Sequence, residues 1–144
     1  MNNKTNIQVE VFLYRLLPNK KLEVLLMKRV AEKGGFWQPL TGGVEEGESR
    51  DEAILREIWE ETGIKNIRQV INTGYQFSFN DHGKFYVEFV YGAEVSAKDA
   101  VKLSCEHDEY RWISKDTAIA LLKWQGNKEG LLILFEKLFN KKGV

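Results

Sequence analysis

Apolar and polar residues alternate near the start of the chain, where every second position is apolar: Ile7, Val9, Val11 and Leu13. This period of two predicts a β-strand. A turn-forming stretch at residues 18–21 separates it from a second apolar run at residues 22–28, and the two runs predict a β-hairpin. Residues 31–49 are rich in glycine and polar side chains, which predicts a long loop.

The second half of the chain repeats this arrangement. Residues 67–79 and 85–95 predict two further strands, and the turn residues 80–83 between them predict a second hairpin. A polar connection at residues 96–109 leads to a short predicted strand at residues 110–113.

Helical signals lie between and after the strands. Ser49 and Glu52 form a capping-box pattern, and Gly63 is a typical C-terminal stop, so a helix is predicted over residues 50–62. Its apolar residues Ile54, Leu55 and Ile58 are expected to face the core. Ser114 predicts the start of another helix at residues 115–123, and apolar residues at helical spacing predict a last helix over residues 128–139. Strands and helices mix without regular alternation, which favours an α/β fold with helices packed on a mixed sheet.

Composition limits the class of protein. The 144 residues are 43% apolar and 29% charged, as expected for one globular domain over residues 1–144. The formal net charge of zero lacks the basic signature of nucleic-acid binders. The longest apolar stretch, residues 131–135, is too short to span a membrane, and no secretion signal is recognised. With one cysteine, Cys105, the expectation is a cytoplasmic protein without disulfides or membrane partners.

The acidic residues, however, are concentrated. Residues 45–61 contain eight acids and two bases. On the predicted helix Glu57, Glu60 and Glu61 occupy positions i, i+3 and i+4, so their carboxylates share one face. Such carboxylates repel one another unless a cation neutralises them, and their oxygens suit Mg²⁺ or Mn²⁺. Glycines at 42, 43 and 47 allow the preceding backbone to approach a metal or phosphate closely.

These residues belong to a longer spaced pattern, G-x5-E-x7-R-E-(aliphatic)-x-E-E-x-G-(aliphatic), which runs from Gly42 through Glu48 and Arg56 to Ile64. The pattern resembles the signature of the Nudix hydrolase family, and every fixed position is filled. The resemblance implies an α/β/α sandwich with a mixed sheet. It also implies hydrolysis of a nucleoside diphosphate linked to another group, through attack of water on phosphorus.

By the same resemblance, Mg²⁺ is the expected cofactor, with Mn²⁺ as the substitute, and Glu57, Glu60 and Glu61 are the expected ligands. A backbone carbonyl at the Thr41–Gly42 step is a further candidate ligand. Arg56 is expected to orient the glutamates, and Glu48 to support the metal shell or the helix. Glu106 is the position that would complete the metal site or act as the general base, with Glu109 as the alternative.

Segments outside this pattern bear on the substrate. Residues 36–48, 106–113 and 122–128 resemble the dihydroneopterin triphosphate pyrophosphatase group, whose members release pyrophosphate from a pterin or nucleoside triphosphate. Residues 106–112 also resemble diadenosine tetraphosphate hydrolases. Two alternatives therefore stay open, the hydrolysis of diadenosine tetraphosphate and the removal of oxidised nucleotides. Non-catalytic nucleotide sensing is a minor alternative. The ADP-ribose group is disfavoured because it carries a proline beyond the pattern, whereas Pro18 and Pro39 precede it.

A flat pterin or purine stacks on aromatic side chains. The aromatic candidates for substrate binding are Trp37, Tyr75, Phe77, Phe79 and Trp124. Arg29 matches a position that often touches substrate in the family, and Lys123 and Lys128 are candidates for the distal phosphates. The expected partner is thus a small nucleotide or pterin triphosphate, bound by a monomer or a homodimer.

Overall fold

The computed structural model describes residues 5–140. Its seven strands and three α-helices follow one another along the chain, with a short 3₁₀ helix at Ala31–Lys33. The strands are β1 (Thr5–Leu16), β2 (Leu22–Arg29), β3 (Trp37–Gln38), β4 (Leu40–Gly43), β5 (Gln69–Asp81), β6 (Lys84–Val95) and β7 (His107–Ile113). The helices are α1 (Arg50–Thr62), α2 (Lys115–Leu121) and α3 (Gln125–Asn140).

Strand β1 organises the sheet. It runs parallel to β6 from Thr5 to Arg15, and antiparallel to both β4 and β2. Strand β2 continues the sheet to β3 and β7, and β5 forms a hairpin with β6. The mixed sheet and both predicted hairpins are confirmed.

The alternation along β1 divides the core into two layers. Val9 and Val11 point to the face covered by α1, where they pack with Ile54 and Ile58. Phe12 points to the opposite face, with the apolar residues of α2 and α3. Because side chains along a strand point alternately to opposite faces, one strand contributes to both cores. The result is the expected α/β/α sandwich.

Helix α1 forms over the predicted residues. The Ser49 side chain accepts a hydrogen bond from the Glu52 backbone, and the Glu52 carboxylate accepts one from the Ser49 backbone. Gly63 ends the helix in the left-handed conformation with φ 74°, which glycine adopts without the steric cost of a side chain. None of the helices within residues 5–140 has the length and apolarity needed to cross a membrane.

Some predicted boundaries were wrong. The loop predicted at residues 31–49 contains β3 and β4, which have only two and four residues. Strands this short carry no periodic pattern of their own and exist because β2 and β1 supply hydrogen-bond partners. Likewise β7 begins at His107 rather than at residue 110, α2 ends at Leu121, and α3 begins at Gln125 rather than at residue 128.

The expectation that Leu55 faces the core was also wrong. Ile54 and Ile58 are fully buried, whereas Leu55 is 49% exposed. Consecutive helical residues differ by about 100° in direction, so the i, i+4 pair covers the core-facing stripe and Leu55 lies beside it.

Two carboxyl groups are buried beneath α3. Glu10 on β1 is fully buried and accepts a hydrogen bond from the Asn127 amide of α3, and Glu88 on β6 is 5% exposed. Burial raises the pKa of Glu10 well above its ordinary value, and the neighbouring Glu88 adds to the effect. Burial raises the pKa of Glu88 to about 7. The pair is therefore protonated more readily in the folded chain than in the unfolded chain.

This difference predicts how stability changes with pH. A carboxyl with a raised folded-state pKa binds more protons in the folded state, so stability falls as pH rises from the unfolded pKa of 4.5 towards about 7. Relative to Glu88→Gln, the wild type should lose up to roughly 3 kcal/mol of unfolding free energy between pH 5 and pH 8. Urea denaturation at both pH values checks this, with Glu46→Gln at an exposed acid as the control. Parallel pH profiles for wild type and Glu88→Gln would contradict the assignment.

Candidate active site

One guanidinium group links the acidic side chains at the start and on the face of α1. Arg56 donates to both oxygens of Glu48, at 2.7 and 2.9 Å, and to the backbone carbonyl of Gly43 at 2.8 Å. Its Nη1 donates to Glu57 at 2.9 Å and to Glu60 at 3.0 Å. The loop before α1 is thereby tied to two of the predicted ligands.

These contacts change the ionisation of the groups involved. The hydrogen bonds from Arg56 lower the pKa of Glu48 to about 2, and the same bonds raise the pKa of Arg56. Both groups are consequently charged throughout the physiological range. A bidentate pair of this kind fixes orientation as well as charge.

Glu57 lies against the backbone of β4. It is 9% exposed, and an ideal Cβ at Gly42 would lie 2.1 Å from Glu57 Cδ. Only glycine at position 42 therefore leaves room for this carboxylate. Burial raises the pKa of Glu57, and the charges of Glu60 and Glu61 raise it further. The contacts from Arg56 act in the opposite direction but do not outweigh these effects.

Glu61 is held from the other side, by residues of the segment that leads into β7. Ser104 Oγ donates to Glu61 Oε1 at 2.7 Å, and His107 Nδ1 lies 3.3 Å from the same oxygen. The other ring nitrogen of His107 is 3.0 Å from the Gln38 amide of β3. Burial alone would raise the pKa of Glu61, but the contacts from His107 and Ser104 outweigh it and hold the pKa below its ordinary value.

The two acids considered for the general base lie in different places. The backbone nitrogen of Glu106 contacts Ser104 Oγ, the group that also bonds Glu61, and the Glu106 side chain contacts Lys33 at 3.3 Å. Glu109 lies within β7 and pairs with Arg111. The structure thus brings Glu106, and not Glu109, to the neighbourhood of Glu61.

The aromatic candidates lie on the other face of the sheet, the one covered by α2 and α3. Trp37, Tyr75 and Phe77 pack against that core. Phe79 continues the row and stacks on Tyr86 with ring centroids 5.1 Å apart. These rings do not contact the carboxylates of α1. A flat group stacked on them would lie on the opposite side of the sheet from those carboxylates.

Lys123 and Trp124 lie between α2 and α3, next to Phe36. The Phe36 and Trp124 rings meet edge to face, and Lys123 Nζ lies 4.7 Å from the Trp124 ring centroid. Arg29 ends β2 opposite His107. Lys128 lies in the first turn of α3, close to this cluster along the chain. The structure gives these residues no contact with the acidic face.

The acidic residues fit a divalent cation in their chemistry. Within residues 5–140 no three acidic, histidine or cysteine side chains lie at metal-ligating spacing, and Arg56 bridges Glu57 and Glu60. Glu57 and Glu61 are nevertheless buried carboxylates on one helix face, and the single positive charge of Arg56 is shared among Glu48, Glu57 and Glu60. Carboxylate oxygens are what Mg²⁺ and Mn²⁺ prefer.

Sequence reasoning missed the roles of Ser104 and Gln38. Each contacts its partner across a long stretch of chain: 43 residues separate Ser104 from Glu61, and 69 separate Gln38 from His107. No spacing rule links residues so far apart. The one available signal was the resemblance of the segments that contain Gln38 and His107 to a known group.

Comparisons with known proteins show which family has this sequence and fold. The family model of the NUDIX domain matches residues 7–135. The asymmetrical bis(5'-nucleosyl)-tetraphosphatase of Rattus norvegicus is 32% identical over 127 residues, covering 84% of this chain and 86% of that protein. Dihydroneopterin triphosphate diphosphatase of Haemophilus influenzae is 27% identical over 144 residues, covering 91% and 88%. A solved C. elegans Ap4A hydrolase aligns with a TM-score of 0.81 at 25% identity, covering 94% of this chain and 98% of that chain.

One similarity involves only part of a larger protein. An octanoyltransferase of Myxococcus xanthus is 36% identical over 108 residues, which cover 74% of this chain. The chain spans 30% of that relative's length.

The close approach of Glu57 to Gly42 generates a structural prediction. Gly42→Ala should force the Glu57 carboxylate into another rotamer and break its contact with Arg56, because the new Cβ would otherwise lie 2.1 Å from Cδ. Gly43→Ala is the matched control, since a Cβ there meets nothing within 4 Å. Crystal structures of the two variants test this, and an unmoved Glu57 in Gly42→Ala would contradict it.

Proposed function

This chain belongs to the Nudix family and is a hydrolase of phosphorus anhydrides, and from that premise we propose its substrate class and its site residues. Nudix enzymes use divalent metal ions such as Mg²⁺. The proposed reaction is Mg²⁺-dependent hydrolysis within a polyphosphate chain that carries a flat heteroaromatic group. The observation that carries the proposal is the set of carboxylates on one face of α1, organised by Arg56 and packed against Gly42.

The proposed ligands are Glu57, Glu60 and Glu61, with a backbone carbonyl at the Thr41–Gly42 step as a further one. Mg²⁺, or Mn²⁺ in its place, neutralises phosphate charge and activates water when bound. Arg56 orients Glu57 and Glu60, and its bidentate pair with Glu48 keeps the guanidinium in place. These carboxylates are thereby arranged before a substrate arrives, which reduces the reorganisation that the reaction requires.

Glu106 is the proposed general base. Its backbone shares the Ser104 hydroxyl with Glu61, so its side chain starts from the edge of the acidic face. The side chain is 40% exposed, which leaves it accessible to water and substrate. A base must reach the attacking water within hydrogen-bond distance, and Glu109 is turned to Arg111 instead.

Two substrates are supported by different observations. Similarity over 84% of the chain favours a dinucleoside tetraphosphate, the substrate in the name of the rat relative. The resemblance of residues 36–48 and the similarity to the Haemophilus protein favour dihydroneopterin triphosphate. Stacking of the heteroaromatic group on Trp37, Tyr75 or Phe79, with Arg29 and Lys123 at phosphates, requires in either case a substrate that extends beyond the acidic face, because these side chains do not contact it. We place the whole activity in one domain, residues 1–144.

A single substitution tests the metal ligands. Glu60→Gln should lower kcat by several powers of ten with little effect on folding, because it removes a ligand charge from a half-exposed side chain and no core packing. The checks are Mg²⁺-dependent turnover and thermal unfolding, with Glu46→Gln as the matched control. Wild-type turnover by Glu60→Gln would contradict the ligand assignment.

A substrate panel tests the class. Phosphate and pyrophosphate release should require Mg²⁺, should stop with EDTA, and should be fastest for diadenosine tetraphosphate or dihydroneopterin triphosphate. The remaining substrates are the common nucleoside triphosphates, 8-oxo-dGTP and ADP-ribose. A kcat/KM that is highest for 8-oxo-dGTP would identify a nucleotide-sanitising enzyme, and turnover of none of them would overturn the proposal.

A further inference from the structure

A chain of buried polar side chains joins β3 to the acidic face of α1. Gln38, His107 and Glu61 are all less than 9% exposed, and they come from β3, β7 and α1. The Gln38 amide nitrogen is 3.0 Å from His107 Nε2, and His107 Nδ1 is 3.3 Å from Glu61 Oε1. Buried polar groups that are not hydrogen-bonded are costly, so this connection requires a defined arrangement of protons.

The surroundings of the ring determine where its proton lies. An ionised carboxylate only accepts hydrogen bonds, so the tautomer with its proton on Nδ1 is the one that places a donor against Glu61. His107 Nε2 is then an acceptor and requires a donor. The Gln38 amide nitrogen lies 3.0 Å away and supplies that donor, so the amide orientation and this tautomer match each other.

The same arrangement leaves the two oxygens of Glu61 in different situations. Ser104 Oγ donates to Oε1 at 2.7 Å, and His107 Nδ1 faces this same oxygen. Ser104 Oγ and His107 Nδ1 therefore both lie against Oε1, and among the described residues Oε2 is the oxygen without a hydrogen-bond donor. Nδ1 forms no hydrogen bond of good geometry within residues 5–140, and the carboxylate oxygen it faces is Glu61 Oε1 at 3.3 Å, so this contact is the one through which the ring can orient Glu61.

We propose that Gln38 and His107 are positioning residues for Glu61: Gln38 holds His107 in the Nδ1–H tautomer, and the ring orients the carboxylate so that Oε2 is available to a divalent cation. This inference rests on the proposed function, because it takes Glu61 to be a metal ligand. Neither residue touches the reacting atoms. Groups of this kind commonly change metal affinity or activity by roughly 10- to 100-fold when removed.

The tautomer is measured first, on the wild type without metal. The chain contains two histidines, and the exposed His82 is assigned with His82→Gln. Long-range ¹H–¹⁵N correlation spectra should show His107 protonated at Nδ1 and unprotonated at Nε2. Gln38→Leu should weaken this preference, since it removes the donor to Nε2. An Nε2–H tautomer in the wild type would overturn the proposal.

A matched pair of variants then separates positioning from packing. His107→Asn keeps an amide donor near the position of Nδ1, whereas His107→Gln moves the amide to the position of Nε2. Mn²⁺ binding, followed by electron paramagnetic resonance without substrate, should weaken by roughly 10- to 100-fold in His107→Gln and be largely restored in His107→Asn. Thermal unfolding serves as the control for folding.

Equal Mn²⁺ affinities for the two folded variants, whether reduced or unchanged, would overturn the positioning role. Glu61→Gln distinguishes this failure from failure of the proposed function. If Glu61→Gln loses Mn²⁺ affinity while His107→Gln keeps it, only the positioning role fails. If Glu61→Gln keeps wild-type affinity, the ligand assignment itself fails. Should both His107 variants fail to fold, the tautomer measured in the wild type still decides.

Discussion

Repulsion among carboxylates on one helix face is the constraint to which the rest of this site responds. Glu57, Glu60 and Glu61 share that face, and Glu57 is pressed against the β4 backbone. Arg56 offsets part of their charge and at the same time ties α1 to the loop before it through Glu48. The guanidinium has five donors in a fixed plane, so this one group serves both charge balance and position. The ammonium group of a lysine, which acts as a point charge, could not do both.

The sheet makes this arrangement possible by giving each side of the site a rigid support. Strand β4 lies beside β1 and presents Gly42 to Glu57. Strands β3 and β7 lie on either side of β2, where Gln38 contacts His107 and His107 faces Glu61. The acidic face is therefore held by elements from three separate parts of the chain. A site supported in this way keeps its geometry better than one formed by loops alone.

Local signals predicted α1, its caps and its acidic face, because spacing within one helix fixes which side chains are neighbours. They failed where partners are distant in sequence. Strands β3 and β4 depend on pairing with β2 and β1, and the contact between Gln38 and His107 spans 69 residues. Leu55 was misplaced because an apolar residue next to the core-facing stripe looks the same in sequence as one within it. The roles of the individual site residues remain predictions.

The central claim is that the acidic face of α1 is a divalent-cation site. The most direct measurement is an anomalous difference map at the manganese edge, from crystals of the full chain grown with Mn²⁺. The account predicts a peak within ligating distance of carboxylate oxygens from at least two of Glu57, Glu60 and Glu61. A well-ordered face with Arg56 still bridging Glu57 and Glu60, and manganese density elsewhere or nowhere, would contradict it.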